Sequence, residues 1–466
     1  MNKDNIIRIT AGFVFLCCLL GCTVGNDFEK PQLYSNAQIE QALTLKPQKQ
    51  EHSYVIFNDP ILEKLQIMAF ENSPSIKAAI YRVKQARLSA KIAEVKGLPT
   101  LDAAGQYQYV KESRNIGVIA DEDIYQVGLD ASWELDIFGG ARRRAEAAQA
   151  NAFITIANLE NAYVSLAGEV ALAYIGLRQS QTDLTIQEQL LTTYRAIFSH
   201  TQSLLNAGLI SQDELNKVDV NIQNTLFQTA DIKSKIEQYK NQLALLTGQL
   251  PSALDDLLKP QKKNLIDKKF ALDTDHFFNL SADVIENRPD VQAALFALRA
   301  QNATVGAAIA ELYPKVSLSG MLGFQSLHFD KLFDHKSYTY SATPVISLPL
   351  FYFGQLKNQV KIEQEKYAES FATYENTFLT AAEEIKNALV SLQSAQKQYQ
   401  SAVRNLRLME NIYRLAGQRR SAGLINQNEL EQAFAGYLTA LQSQRSANAA
   451  LYSNVVRFFK SIGAMS

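Results

Sequence analysis

Carboxylates make the clearest chemical pattern in this 466-residue chain. Asp102, Asp130, Glu134 and Asp136 share one parity within stretches that alternate apolar and polar residues, so they fall on a common polar face that carries no Lys or Arg. Lining a water-filled passage, such a face favours cations; pairing of these carboxylates with lysines elsewhere is the other reading. Reactive types of other kinds are sparse. His52, His200, His276, His328 and His335 are scattered with no HExxH, and GxSxG, Walker A and GxGxxG are absent, so nothing points to an enzyme or a cofactor. His328 and His335 flank a predicted loop, where isolated surface histidines are the ordinary case. Met68, Met321, Met409 and Met465 are too few for a methionine-lined copper route.

All three cysteines lie within the first 22 residues. Lys3 and Arg8 precede an apolar run from Ile9 to Leu20 that is too short to span a membrane and reads as an export signal. Leu19-Leu20-Gly21-Cys22 resembles the lipobox of bacterial lipoproteins, which implies that Cys22 is lipidated and becomes the mature N-terminus. Cys17 and Cys18 lie in the same run, so a cysteine placed by chance behind an ordinary signal is the alternative. Thr23 stands where an aspartate would imply inner-membrane retention, and the resemblance therefore implies the outer membrane. A chain processed at Cys22 has no second thiol and no disulfide. With 46 Lys+Arg against 47 Asp+Glu and no block of like charge, the chain has no electrostatic footprint for nucleic acid.

The elements that position these residues come in two copies. Asn72-Ser73-Pro74-Ser75-Ile76 matches Asn287-Arg288-Pro289-Asp290-Val291 at an offset of 215, and the same offset joins Phe138-Gly139 to Phe353-Gly354 and Gly208 to Gly423. The expected organisation is a signal at 1–21, a lipidated extended segment at 22–56, one repeat at 57–251, a linker at 252–271 and a second repeat at 272–466. Each repeat reads as helix, two strands, very long helix, turn and helix.

In the first repeat Leu62 to Lys96 is helix-forming, and Gly97-Leu98-Pro99 stops it. The period then becomes two: Leu101, Ala103, Tyr107 and Tyr109 alternate with polar residues, as do Tyr125, Val127, Leu129 and Trp133. The second repeat does the same around Val316 to Phe324 and Tyr338 to Leu348, with Pro344 an awkward mid-strand residue. This alternation suits an outer-membrane barrel wall, and a soluble sheet with one buried face is the alternative. Four strands cannot close a barrel, so membrane strands would have to come from several chains. From Gly140 to Asn206 apolar residues recur every seventh position, from Ile156 through Val170 and Leu177 to Leu205, and Phe371 to Tyr413 repeats the seam. A helix of that span is about 100 Å long. Gly208 and Gly423 end these helices, and Asp213-Glu214 and Asn428-Glu429 begin the return.

Together the lipobox, the run Val24 to Pro31, Ser132-Trp133-Glu134-Leu135-Asp136-Ile137-Phe138-Gly139, Asn287-Arg288-Pro289-Asp290-Val291 and Leu348-Pro349-Leu350-Phe351 resemble the TolC family of outer membrane efflux channels, in its lipoprotein branch. The likeness covers nearly the whole mature chain. It implies a mainly α fold with a small β part. Three chains would close a twelve-stranded outer-membrane β-barrel continued by a twelve-helix periplasmic α-barrel, with the Gly208 and Gly423 turns at its far end. It implies a homotrimer in outer membrane lipid, a periplasmic adaptor protein and an inner-membrane pump of the RND type as partners, and conduction of small molecules such as drugs without catalysis. A type I protein-secretion channel is the alternative within the family, and a periplasmic coiled-coil scaffold lipoprotein the alternative outside it. The family's constriction lies on the helix after the second turn, commonly at carboxylates six and nine positions past the glycine. Here those positions hold Glu429 and Gln432, and Asn428 stands where leucine is frequent. A ring of three Glu429 side chains would repel, raise its own pKa values and favour divalent cations. Glu431 competes for the role, and a first-turn residue that merely complements the helix dipole is the other reading of Glu429.

Overall fold

The computed structural model describes residues 23–43, 57, 59–111, 115, 121–261, 263–267 and 283–464. Cys22 and the expected export signal lie outside them. After a short helix α1 (Asn36–Leu43), α2 (Pro60–Asn72) starts where the Asp59 carboxylate accepts from the Ile61 and Leu62 amides and Pro60 fills the first helical position. The single helix expected from Leu62 to Lys96 is in fact two, because Pro74 pushes Ser73 to an extended conformation (ψ 123°) and α3 (Pro74–Val95) begins afresh. The second repeat makes the same break at Pro289, between α6 (Asp283–Glu286) and α7 (Pro289–Ala310).

Strands β1 (Thr100–Lys111), β2 (Asp121–Leu135), β3 (Lys315–Ser326) and β4 (Tyr338–Ser347) form one antiparallel sheet in that order. Its register keeps the predicted faces. One row runs Thr100, Ser132, Ser319, Thr343 and another joins Gln106, Gln126 and Gln325, while the opposite face carries the row Ala103, Leu129, Leu322, Tyr340. Pro344 lies in β4, an edge strand of this sheet, where a missing donor is tolerated. The apolar face is uncovered within the chain: Leu101, Tyr107, Tyr340 and Ile346 are all 60% exposed or more.

Helices α4 (Gly140–Asn206) and α8 (Gln355–Ser421) are 67 residues each, and α5 (Gln212–Leu246) and α9 (Gln427–Ser461) are 35 each. The element bounds repeat with the sequence: β1 recurs as β3, α4 as α8 and α5 as α9, each displaced by 215 residues (Thr100 to Lys315). Along α8 the heptad seam is buried at Phe378, Ile385, Leu392 and Tyr399, with Ala381, Leu389 and Ala395 between. In α4, burial is wider, taking in Leu166, Ala167, Val170, Ala171, Tyr174 and Leu177.

Among the described residues the chain forms two compact units, one from 23–31, 81–156 and 292–376, the other from 32–80, 157–291 and 377–464. The first contains the sheet. In the second, Asp59 accepts from the buried Tyr174 hydroxyl at 2.9 Å. There too Arg288 of the Asn287–Val291 motif, its side chain 8% exposed, donates to the Ser461 carbonyl, to both oxygens of Asp290 and to Glu384.

Candidate functional site

On the polar face of the sheet Asp102 lies directly opposite Asp130, and Glu134 lies opposite Ser317. All three carboxylates are exposed, and Glu122 adds to the same face. Asp136 does not belong with them. It follows the last residue of β2, and its oxygens accept from the Ala141 and Arg142 amides at 2.9 Å and from the Arg142 guanidinium at 3.3 Å. The first turn of α4 presents unpaired amides and a positive dipole end, and a carboxylate four residues upstream is the nearest acceptor. Nor is the face free of cations, because β3 starts at Lys315, which shares the parity of Ser317 and Ser319. Its ammonium is met by Glu311, which also accepts from Arg144 at 3.0 Å; the acidic excess at Asp102 and Asp130 stands.

Next to the β2–α4 junction the chain holds its own N-terminal segment. Val24 donates its amide to the Phe138 carbonyl at 3.1 Å. The Arg143 guanidinium, with only 4% of its side chain exposed, donates to the carbonyls of Val24 (3.2 Å) and Gly25 (3.0 Å) and to Asp27 (2.9 Å) and Glu146 (2.8 Å). Burial works against its charge, but the Glu146 and Asp27 bonds outweigh it and hold its pKa above the ordinary arginine value. Gly25 (φ +85°) is required, since a Cβ there would stand 2.8 Å from Gly306 Cα. Sequence reasoning missed this latch. Its signal was the run Arg142-Arg143-Arg144 at a helix start, where cations oppose the dipole unless distant acceptors take them.

The turns that join the long helices to their return helices are built alike. Gly208 (φ +71°) and Gly423 (φ +73°) adopt left-handed conformations in open space, and Leu209 and Leu424 donate back to the Leu204 and Arg419 carbonyls. Glu429 is exposed, and its carboxylate takes part in a capping box: its amide donates to Asn426 Oδ1 at 2.9 Å and its Oε1 accepts from the Asn426 amide at 3.5 Å. Asn428 donates to Thr201 Oγ1 of α4 at 3.2 Å, and Glu431 accepts from Gln427 at 2.8 Å. Gln432 is exposed. Earlier in α4, sequence reasoning missed Asp183, which accepts from Gln179 at 2.8 Å; burial pushes its carboxyl up to about 6 against the Gln179 and Gln442 hydrogen bonds and the more remote Lys235. Among the described residues no cluster of three or more His, Cys, Asp or Glu could hold a metal ion, and no helix is long and apolar enough to cross a membrane.

Comparison with known proteins agrees with this architecture. The solvent efflux pump outer membrane protein SrpC of Pseudomonas putida is 29% identical over 444 residues, covering 92% of this chain and 90% of that protein. The cation efflux system protein CusC of Escherichia coli O157:H7 is 24% identical, with 97% of each chain covered. Among solved structures the outer-membrane channel OprN superposes with a TM-score of 0.85 at 27% identity, over 95% of this chain and 99% of that one. Residues 67–249 and 280–464 each match the outer membrane efflux protein family, and the chain belongs to it.

Proposed function

We propose that the chain is the outer-membrane exit channel of a tripartite efflux system, passing small molecules outward with energy supplied by an inner-membrane pump. The observation that carries this reading is the sheet: four strands with an apolar face exposed along its length, a polar face opposite, and edges at β1 and β4 that no other strand covers among the described residues. A soluble chain does not tolerate such an exposed apolar face and hydrocarbon does not tolerate open strand edges; three copies closing a twelve-stranded barrel pair the edges, keep the polar face inward and turn the apolar face to lipid. The named functions of SrpC and CusC, solvent and cation efflux, support the assignment to efflux.

In this reading Cys22 carries the lipid, and Arg143 fixes the following residues at the start of α4. The Gly208 and Gly423 turns meet a periplasmic adaptor, which couples the channel to a pump of the RND type. Glu429, tethered through its capping box, and the free Gln432 narrow the closed pore, with Asn428 and Glu431 held by neighbours. Asp102, Asp130 and Glu134 line the lumen. The test is planar-bilayer conductance of the lipidated protein together with its native mass. A trimer with steady single-channel conductance is expected; a monomer that stays in solution without detergent and conducts nothing would leave a periplasmic scaffold instead.

A further inference from the structure

Three buried oxygens on one face of α4 lack a donor. Gln179 Oε1, Asp183 Oδ1 and Gln187 Oε1 stand on successive turns, each four residues from the next, and none has a partner among the described residues. Gln187 is only 2% exposed. The nitrogens around them are committed: Gln179 Nε2 donates to Asp183 Oδ2 at 2.8 Å and to Ser446 Oγ at 3.0 Å, Gln187 Nε2 to Gln442 Oε1 at 3.2 Å, and Gln442 to Asp183. The imbalance is one-sided, since every unpartnered buried atom in this group is an oxygen.

The group lies where α9 runs along α4. Toward the turns the seam is apolar, with Ile186 and Leu190 clustered with Ala435 and Leu438, and Asn428 donates to Thr201 beyond them. Away from the turns it becomes polar at Gln187–Gln442 and Gln179–Ser446, with Asp183 between. Few charges face this carboxyl. Lys235 of α5 is the nearest cation, and its ammonium is 2.6 Å from Asp231; Tyr239 of α5 closes over Gly176. Arg445 of α9 is taken by the Asp267 carboxylate and by the Ile266 and Asp267 carbonyls.

We infer that Asp183 takes up a proton in the folded chain and donates it to the Gln187 amide oxygen, which makes the α4–α9 seam a proton-operated clasp. The proton comes from water and returns to it. Protonation turns an acceptor-only carboxylate into a donor at the one place where donors are missing. Gln187 is the recipient because Gln179 already presents its nitrogen, not its oxygen, to the carboxyl. When Asp183 is ionised, the seam instead holds a desolvated charge between bare amide oxygens. Its carboxyl is raised from 3.8 to about 6, so the clasp is closed below that pH and is lost as pH rises through it. The repeat argues that the acid is not there for packing: 215 residues on, the equivalents of Gln179, Asp183 and Gln187 are Ser394, Gln398 and Ala402, with no carboxylate.

Resting on the channel reading, the clasp acts on the pore, because α9 starts at Gln427 and carries Glu429 in its first turn. A closed clasp holds that helix to α4; an ionised Asp183 frees it to move.

The native cysteines all lie at or before Cys22, so spin labels on Glu188→Cys and Ser443→Cys, both exposed, report the α4–α9 distance in the full lipidated chain. The distance is expected to lengthen and broaden between pH 4.5 and pH 8, and to stay short at both in Asp183→Asn, whose amide donates at any pH. An unchanged distance in the wild type, or the same response in Asp183→Asn, would overturn the clasp. Infrared titration of the otherwise unaltered chain tests the proton itself: a protonated-carboxyl C=O band lost with a midpoint near pH 6 is expected, and loss of all such bands near pH 4 would overturn the proposal. Planar-bilayer conductance is then read in a Glu429→Gln background, which removes titration at that position. A severalfold rise from pH 5 to pH 7.5, abolished by Asp183→Asn, is expected. Conductance that ignores pH while the distance responds would overturn the link to the pore. A chain that conducts at neither pH while the distance responds would sink the channel reading and leave the clasp.

Discussion

Asp102 and Asp130 face one another across the β1–β2 ladder, like charges in direct register with no cation between them among the described hydrogen bonds and ion pairs. A directly opposed like pair costs the sheet roughly 0.2–1 kcal/mol, a cost that the proposed cation-attracting lumen would give reason to carry. Replacing both by asparagine should stabilise the sheet by about that amount and reduce cation preference. Reversal potentials in a salt gradient measure the second effect, and an unchanged potential would remove these residues from the selectivity of the pore.

Glu429 combines a charge with a capping role, and two substitutions separate them. Glutamine preserves the capping box and removes the charge; alanine removes both, at about 0.5–2 kcal/mol for a lost cap interaction. If Glu429 narrows the closed pore, Glu429→Gln and Glu429→Ala both raise single-channel conductance and weaken block by divalent cations, and only Glu429→Ala lowers thermal stability. Equal conductance in the wild type and both variants would assign Glu429 to helix capping alone.

Asp183 gives the helical region a pH dependence whose sign follows from its raised pKa. Between the ordinary 3.8 and about 6 the folded carboxyl keeps a proton that the unfolded one has lost, so stability falls as pH rises through this window. The cost at neutral pH is about 1–3 kcal/mol. Asp183→Asn should raise the melting temperature at pH 7.5 and leave it nearly unchanged at pH 4. A gain of equal size at both values would point to packing instead of titration.

Removing Arg143 leaves the Val24 and Gly25 carbonyls and Glu146 without their buried donor. Arg143→Ala should release the segment from residue 23 to 31, seen as proteolytic cleavage there about tenfold faster or more, since a hydrogen bond to a charged group is worth about 1.5–3 kcal/mol. Cleavage at the wild-type rate would mean that Arg143 does not hold this segment in place.

Arg288 anchors the start of α7 through two carboxylates and the Ser461 carbonyl. Arg288→Ala should cost about 1.5–3 kcal/mol, since the carboxylates it leaves are partly solvated, and Arg288→Lys should recover only part of it, because an ammonium cannot serve Asp290 bidentately while reaching Glu384 and Ser461. Thermal unfolding in detergent measures both. Full recovery by lysine would reduce the network to a point charge.

The repeat, the strand faces, the long helices and the two turns were legible along the chain. These follow from local regularities: a period of two from Leu101 to Tyr109, a seam of seven from Phe371 to Tyr413, and glycines at 208 and 423 where φ must be positive. Pro74 also marked a break that a helix read from Leu62 to Lys96 passed over. Tertiary structure alone decided which polar groups meet. Arg143 finds its carbonyl acceptor 118 residues upstream, and Arg288 finds Ser461 173 residues downstream, separations that no local period encodes. The same holds for Asp136, whose parity put it on the strand face until the unpaired amides of α4 claimed it, and for Asp183, whose pKa depends on which helices bury it. Periodicity states which side of an element is apolar; only packing fixes which distant donor or acceptor fills each desolvated place.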